Sequence, residues 1–176
     1  LEESLDEAIK DSFNMVSVDG DMSTNDSCFI MANGLAGNKR ITVKSISYKK
    51  FTDALKYISS ELARMLAADG EGATKLIEIE VKGAKTPDDA RKVARKISTS
   101  NLLKCAIFGM DPNWGRIVAA AGASGVEFDI DRMDVYIGQV KALSNGAIAR
   151  AFVKEKARKA LKDKNVRITV DMKSGS

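Results

Sequence analysis

Three loops of the chain concentrate polar side chains that could do chemistry. They are Asp19–Asp26 (DGDMSTND), Asp69–Gly72 (DGEG) and Asp111–Arg116 (DPNWGR), and each follows an apolar stretch. Carboxylates, amides and hydroxyls that project from the ends of rigid elements can converge on one polar ligand. Asp and Asn side chains also form ordinary turns with the neighbouring backbone. For the first and third loops, the sequence alone leaves both interpretations open.

The first loop has the carboxylates of a calcium site without its spacing. Asp19, Asp21 and Ser23 would occupy ligand positions 1, 3 and 5 of an EF-hand loop. Positions 6 and 12 should be Gly and Glu, but they are Thr24 and Ile30. We therefore exclude an EF-hand and predict no metal site. The polar side chains of this loop stay candidates for lining a pocket or a subunit interface: Asp19, Asp21, Thr24, Asn25 and Asp26.

Glu71, in the second loop, is the most specific candidate. The glycines on either side of it would allow the backbone to approach a ligand closely. A carboxylate in such a turn could bind the ammonium group of an amino acid through a charge-assisted hydrogen bond. DGEG by itself is a weak motif, since the same residues could simply end a helix in solvent. In the third loop, Asn113 and Arg116 are candidates by residue type alone.

The absence of histidine limits the chemistry that this chain can perform. Ser-His-Asp and Cys-His catalytic systems and His-ligated zinc sites are excluded within its 176 residues. Hydrophobic residues make up 44% and charged residues 30%, the profile of a soluble globular protein with one sizeable core. Cys28 and Cys105 lie in separate apolar runs, and we predict buried free thiols in a cytoplasmic protein, with a disulfide left open. We expect no signal peptide, and no run approaches the ~18 apolar residues of a membrane helix.

The net charge of +4 is unevenly distributed. One segment near the end of the chain is basic and contains Lys154, Lys156, Arg158, Lys159, Lys162, Lys164 and Arg167. Such a segment could bind nucleic acid. The same stretch, however, holds apolar residues at helical spacing, which would place the charges on the opposite side: Ala149, Phe152, Val153, Ala157, Ala160 and Leu161. Because no aromatic side chains are interleaved to stack on bases, we predict a solvated helix and no nucleic-acid partner.

Apolar periodicity predicts helices and strands in mixed order. Helices are expected at the N-terminus, over Phe51–Leu66, from Pro87 to Ile97, after DPNWGR and over Ala147–Leu161. Strands are expected at Met15–Val18, Cys28–Ala32 (buried), Lys75–Val81, Val126–Ile130, Asp134–Ile137 and Val166–Val170. Because the order is not strictly βαβ, we predict an α+β fold, a layered mixed sheet-and-helix sandwich. A weak seam near Lys82–Asp89 divides it into residues 1–84 and 85–176.

Three long stretches resemble one known family. SFNMVSVDGDMSTNDSCFIMANG, DGEGATKLIEIEVKGA and NLLKCAIFGMDPNWGRIVAAAG are similar to the β chain of ornithine acetyltransferase, the bifunctional glutamate N-acetyltransferase of arginine biosynthesis. The resemblance extends in order from about Leu1 to about Asp171. Residues 1–84 would then form the layer on the nucleophile side of the β chain, and residues 85–176 a second α/β subdomain.

The resemblance implies a two-step acetyl transfer. In this family a precursor cleaves itself, and the new terminal Thr of the β chain takes acetyl from N-acetylornithine and passes it to glutamate. A terminal amine can act as the base for its own hydroxyl, which suits a chain without His. Glu71 matches the substrate-binding Glu of the family, and an α chain of the same precursor supplies most oxyanion donors in an α2β2 assembly. No cofactor is expected to be bound, and acetyl-CoA stays open as a further acetyl donor.

Two departures from the family pattern lead us to expect a fragment. The chain begins at Leu1 instead of a Thr followed by a strand, and it ends at Ser176 before a further strand and a substrate-binding segment. We therefore expect no catalytic residue in this chain and a sandwich that is incomplete without its flanking strands and the α chain. One alternative is an inactive folding or interaction module. Another is a related self-cleaving aminopeptidase, which DGEGATK and DPNWGR disfavour.

Overall fold

The computed structural model describes residues 1–43 and 45–175. Its helices are α1 (Glu2–Lys10), α2 (Ile46–Ala68), α3 (Pro87–Ser98), α4 (Asn101–Phe108), α5 (Trp114–Gly122) and α6 (Lys154–Ala160). Its strands are β1 (Leu76–Lys82), β2 (Asp134–Ile137), β3 (Val140–Ser144), β4 (Ala147–Ile148) and β5 (Asn165–Asp171). Short 3-10 turns cover Phe13–Met15 and Ile130–Arg132. One mixed sheet with helices confirms the predicted α+β class, and no described helix is long and apolar enough to cross a membrane.

The chain divides into two compact units, Leu1–Gly70 and Glu71–Ser176. The division expected from the sequence, after residue 84, falls beyond β1. The compact units divide before β1 because that strand pairs with β5 along its whole length, from Leu76 opposite Asn165 to Lys82 opposite Asp171.

Helices α1 and α2 of the first unit pack through small side chains. Ser4 and Ala8 of α1 and Thr52 of α2 are buried, and the Thr52 hydroxyl donates a 3.0 Å hydrogen bond to the Ser4 hydroxyl. The predicted α2 periodicity is confirmed as a helix, and the Ser45 hydroxyl caps its start. Much of its apolar stripe is nevertheless exposed: Ile58, Leu62, Met65 and Leu66. Periodicity shows which face of a helix favours burial, but it does not supply the surface that buries it.

The segment between α1 and α2 contains neither of the strands predicted there. Met15 ends a 3-10 turn, and residues 16–18 and 28–32 do not form strands. Phe29 is 83% and Met31 92% exposed, so the buried strand expected at Cys28–Ala32 is wrong. An apolar run becomes a strand only when its backbone pairs with a neighbouring strand, and neither run belongs to the sheet that the described residues form. The predicted burial of the thiols is also wrong, because Cys28 and Cys105 are both free and exposed.

The second unit is a five-stranded sheet in the order β1-β5-β2-β3-β4. β1 and β5 are parallel, and the other neighbours are antiparallel. Alternate residues of the strands, such as Val135, Ile137 and Ile168, are buried in one core with side chains of α3, α4 and α5. Glu78 and Arg167 alternate with them and form a 3.1 Å ion pair. The two-residue period of a strand therefore separates an apolar sheet face from a polar one.

Helix starts in the second unit follow local chemistry. Thr86 caps α3, since its hydroxyl accepts the Asp89 N–H at 3.1 Å and donates to the Asp89 carboxylate at 2.8 Å. Pro87 occupies the first turn, as predicted. The expected helix over Ala147–Leu161 is wrong in its first half. Ala147 and Ile148 form β4 instead, because they pair with the end of β3.

The strand predicted at Val126–Ile130 is also wrong. No described residue pairs with these residues as a strand, and the chain turns into the 3-10 segment Ile130–Arg132. The Asp129 carboxylate accepts the Asp131 N–H at 3.0 Å and so caps this turn. An Asp that satisfies a nearby backbone donor competes with the sheet ladder.

Candidate functional site

The loop Asp111–Arg116 is a tight turn that joins α4 to α5. The Asp111 N–H donates to the Ala106 carbonyl at 2.8 Å, which ends α4. The Asn113 amide group donates to the Asp111 carboxylate at 3.1 Å, while its oxygen accepts the Arg116 N–H at 3.3 Å and caps α5. The Arg116 guanidinium donates to the Leu102 carbonyl on α4. Bonds within the protein thus occupy both candidates, Asn113 and Arg116, and a further role in a pocket stays a prediction.

The loop Asp19–Asp26 is exposed and holds its own shape. The Asp19 carboxylate accepts the Asp21 N–H at 2.8 Å. The Ser23 hydroxyl accepts the N–H groups of Asn25 at 3.3 Å and Asp26 at 3.0 Å. These are side-chain turns that compete with regular structure. Ser23 was considered only as a calcium ligand, whereas it organises the second half of the loop. The proposed pocket or interface roles of Asp19, Asp21, Thr24, Asn25 and Asp26 stay predictions.

Glu71 begins the second unit and is exposed in the turn that leads to β1. Gly72 has φ of +67°, a left-handed conformation that strongly favours glycine. A side chain at Gly70 would come within 3.2 Å of the Val18 side chain. Among the described residues, none hydrogen-bonds to the Glu71 carboxylate. The turn thus favours glycine at position 72, a side chain at Gly70 would press on Val18, and the Glu71 carboxylate is available for a cation.

The candidates do not all share one unit. Asp19–Asp26 lies in the first unit, whereas Glu71 and Asp111–Arg116 lie in the second. Within the second unit, hydrogen bonds join Asp111 to Asn113 and Asn113 to Arg116, but none in the described chain joins Glu71 to that loop. In this same described part, no three Asp, Glu or Cys side chains approach closely enough to hold a metal ion.

Asp134 is a buried charge that the sequence analysis missed. Its side chain is only 5% exposed, and the Lys141 and Lys173 ammonium groups each lie 2.7 Å from it. The Asn145 N–H also donates to it at 2.8 Å. Burial would raise the pKa of Asp134, but these hydrogen bonds outweigh burial and lower the pKa to about 2. The hydrogen bond that Lys141 donates to Asp134 raises the pKa of Lys141 above its usual range. The sequence offered one signal of this buried charge, an acidic residue at the start of the otherwise apolar strand β2.

Comparison with known proteins supplies the identity of the family. A family model described as the ArgJ family matches residues 1–176. The chain belongs to the ArgJ family. It is 51% identical, over 98% of its length, to the arginine biosynthesis bifunctional protein ArgJ of Caldanaerobacter subterraneus subsp. tengcongensis. It is 50% identical, over 99% of its length, to the protein of the same name from Symbiobacterium thermophilum. The predicted family resemblance is confirmed.

A solved ArgJ structure confirms the fold. The crystal structure of the arginine biosynthesis bifunctional protein from Bacillus halodurans superposes with a TM-score of 0.94 at 41% identity, covering 99% of this chain and 82% of that one. The chain spans less than half of the length of the curated ArgJ relatives, 44% and 43% of the two named above.

Proposed function

We propose that the protein carrying this chain is an acetyltransferase of arginine biosynthesis that moves acetyl from N-acetylornithine to glutamate. The observation that supports the proposal is the match of the whole chain to bifunctional arginine biosynthesis proteins at up to 51% identity. The chain contributes a turn with an accessible carboxylate, Glu71, to a reaction whose substrates are amino acids.

The proposed chemistry proceeds through an acetyl-Thr intermediate. The hydroxyl of a terminal Thr, outside this chain, attacks the acetyl carbonyl of N-acetylornithine. The C–N bond breaks, and ornithine leaves with the hydroxyl proton on its amine. The glutamate amine then attacks the acetyl ester, which forms N-acetylglutamate and restores the Thr hydroxyl. Because this chain has no His, the base would be the terminal amine or a water that it holds.

Glu71 is proposed to bind the ammonium group of the amino-acid substrate. Its carboxylate is exposed and has no hydrogen-bond partner among the described residues, so binding would not require an existing ion pair to break. The left-handed turn at Gly72 holds it between α2 and β1. A charge-assisted hydrogen bond of this kind contributes about 1.5–3 kcal/mol.

The remaining parts of the assembly are part of the same proposal. An α chain from the same self-cleaved precursor would supply the oxyanion donors and complete an α2β2 enzyme in the cytoplasm. It would also cover apolar surface of the first unit, where Phe29, Met31 and Leu62 are exposed. In a bifunctional enzyme, acetyl-CoA would serve as an additional acetyl donor for glutamate.

Substitution of Glu71 tests the proposed role. In the protein expressed from its complete gene, Glu71→Gln keeps the size and most of the hydrogen bonding but removes the charge. We expect kcat/KM for N-acetylornithine to fall by about one to two decades, since that corresponds to the loss of a charge-assisted bond. The melting temperature should change little, because surface substitutions stay within about 0.5 kcal/mol.

Glu3→Gln is the matched control, since Glu3 is an exposed glutamate on α1 with no proposed role. It should leave kcat/KM unchanged. If Glu71→Gln stays within about twofold of the unmodified protein, the carboxylate faces solvent only and the assignment is wrong. Absence of acetyl exchange in the unmodified complete protein would instead contradict the proposed reaction itself.

A further inference from the structure

The basic segment singled out in the sequence borders a cleft in the second unit. The cleft has a volume of about 420 Å³ and lies between α6, the β2–β3 turn and the start of β5. Three cations line it, Lys156, Lys159 and Arg167, together with one carboxylate, Asp163. This volume lies within the roughly 300–1,000 Å³ range of small-molecule sites.

The walls of the cleft are held by hydrogen bonds and by close packing. The Gly138 N–H donates to the Arg167 carbonyl at 2.8 Å, which fixes the β2–β3 turn to β5. Gly138 has φ of +58°, and a Cβ there would come within 2.9 Å of the Ala160 side chain on α6. The Lys75 ammonium donates to the Leu161 carbonyl at 2.6 Å and ties down the residues that follow α6. The cleft therefore exists before any ligand binds.

The two lysines of α6 differ from their neighbours on the same helix. Lys154 lies 3.7 Å from the Asp111 carboxylate, and Arg158 lies 3.6 Å from Glu155. Across the described residues, neither Lys156 nor Lys159 forms an ion pair. They are three positions apart, so their side chains share one helix face. These two ammonium groups are thus free to meet an anion together.

The charge of the cleft limits the class of ligand. Lys156, Lys159 and Arg167 outweigh Asp163, and the Arg167 guanidinium also pairs with Glu78 at 3.1 Å. A monoanion would gain little from such a site, because exposed single ion pairs contribute at most about 1 kcal/mol. A ligand with two or more charges on adjacent groups could engage both lysines at once, as phosphate oxygens do.

We propose that this cleft binds a small phosphorylated anion, with Lys156 and Lys159 as its principal ligands and Arg167 at its edge. Polar groups of Gln139 and Asn165 line the same cleft and could donate to further phosphate oxygens. The site lies apart from the Glu71 turn in the sequence and does not rest on the proposed acetyl transfer.

Protection of lysines from an amine-reactive ester tests the location in the protein expressed from its complete gene. Pyrophosphate at ten times its dissociation constant should slow labelling of Lys156 and Lys159 by about tenfold. Lys162 and Lys164 belong to the same basic segment but do not line the cleft, so they should react at unchanged rates. Acetate at equal ionic strength should protect none of the four.

The remaining outcomes of this labelling would overturn the proposal. Equal protection of all four lysines would indicate a diffuse basic surface, and no protection would indicate no site. A short DNA duplex that protects all four more strongly than pyrophosphate would assign the surface to nucleic acid instead.

Calorimetry on two matched double variants tests the energetics. Lys156→Ala with Lys159→Ala should weaken pyrophosphate binding at least about tenfold, because both ammonium ligands are lost. Lys162→Ala with Lys164→Ala removes the same net charge and should stay within about twofold. Equal weakening by both pairs would contradict a defined site. Because labelling uses the unmodified protein, it decides the question even if the first double variant folds poorly.

Discussion

The buried carboxylate of Asp134 should make the stability of the second unit fall in acid. Replacing this one residue by Asn should remove that pH dependence. Its pKa is lowered from an ordinary value of 3.8 to about 2, and its side chain is only 5% exposed. Each pKa unit corresponds to about 1.4 kcal/mol, so ionised Asp134 contributes about 2 kcal/mol to the free energy of unfolding at pH 7.

The sign of the pH dependence follows from the direction of this shift. A group whose pKa is lower in the folded protein binds protons more readily when unfolded, so its contribution is complete above pH 3.8 and is lost as the pH falls toward 2. About half of the contribution should remain at pH 3, and little at pH 2. Asp134→Asn keeps the shape but removes the charge that Lys141 and Lys173 contact.

Urea unfolding of Asp134→Asn at several pH values measures this contribution. We expect the variant to be less stable than the unmodified chain by about 2–3 kcal/mol at pH 7. The difference should shrink by about half at pH 3. Asp6→Asn, which alters an exposed aspartate on α1, should show a difference below about 0.5 kcal/mol throughout. A difference at pH 7 below that limit, or one that persists unchanged at pH 3, would refute the electrostatic reasoning.

Other consequences can be measured on the same protein. The isolated 176-residue chain should show no acetyl exchange between N-acetylornithine and glutamate, because the Thr nucleophile is proposed to lie outside it; turnover that survives repurification would contradict this. The isolated chain should also bind an apolar dye and self-associate with concentration in sizing experiments, since Met31 and Leu62 are exposed; a monodisperse monomer without dye binding would count against it. Gly72→Ala should destabilise the chain by about 1 kcal/mol in thermal unfolding, because φ there is +67°, and an unchanged melting temperature would show that the turn relaxes.

Local signals predicted those parts of the fold that depend on neighbouring residues. The Thr86-Pro87 start of α3 is correct because the cap is made within one turn by Thr86 and Asp89. The predictions of β1 and β5 are also correct. Each strand has apolar residues at alternate positions, and the two strands pair with each other in one sheet. In such cases the sequence contains both partners of the interaction.

The errors arise where the interaction partners of a residue are not its neighbours in the sequence. Cys28–Ala32 is as apolar as a buried strand, yet it has no strand partner among the described residues and Phe29 is exposed. The prediction of a helix from Ala147 was wrong because Ala147 and Ile148 pair with the end of β3. Helical spacing of apolar residues does not reveal such a strand pairing. Asp134 was missed for the related reason that Lys141 and Lys173 approach it only after three segments have met.

The candidate site shows a further limit, which concerns roles rather than positions. Asn113 and Arg116 were selected by type, but their bonds to Asp111 and Leu102 would be present without any ligand. Glu71 was selected by its glycines, and the structure leaves its carboxylate without a partner among the described residues. An acid that only ends a turn and an acid that binds an ammonium group share these surroundings. What separates them is charge, since a turn needs only the backbone of Glu71 whereas an ammonium ligand needs its carboxylate. Replacement by Gln, with Glu3→Gln beside it, changes that one property and leaves the turn intact.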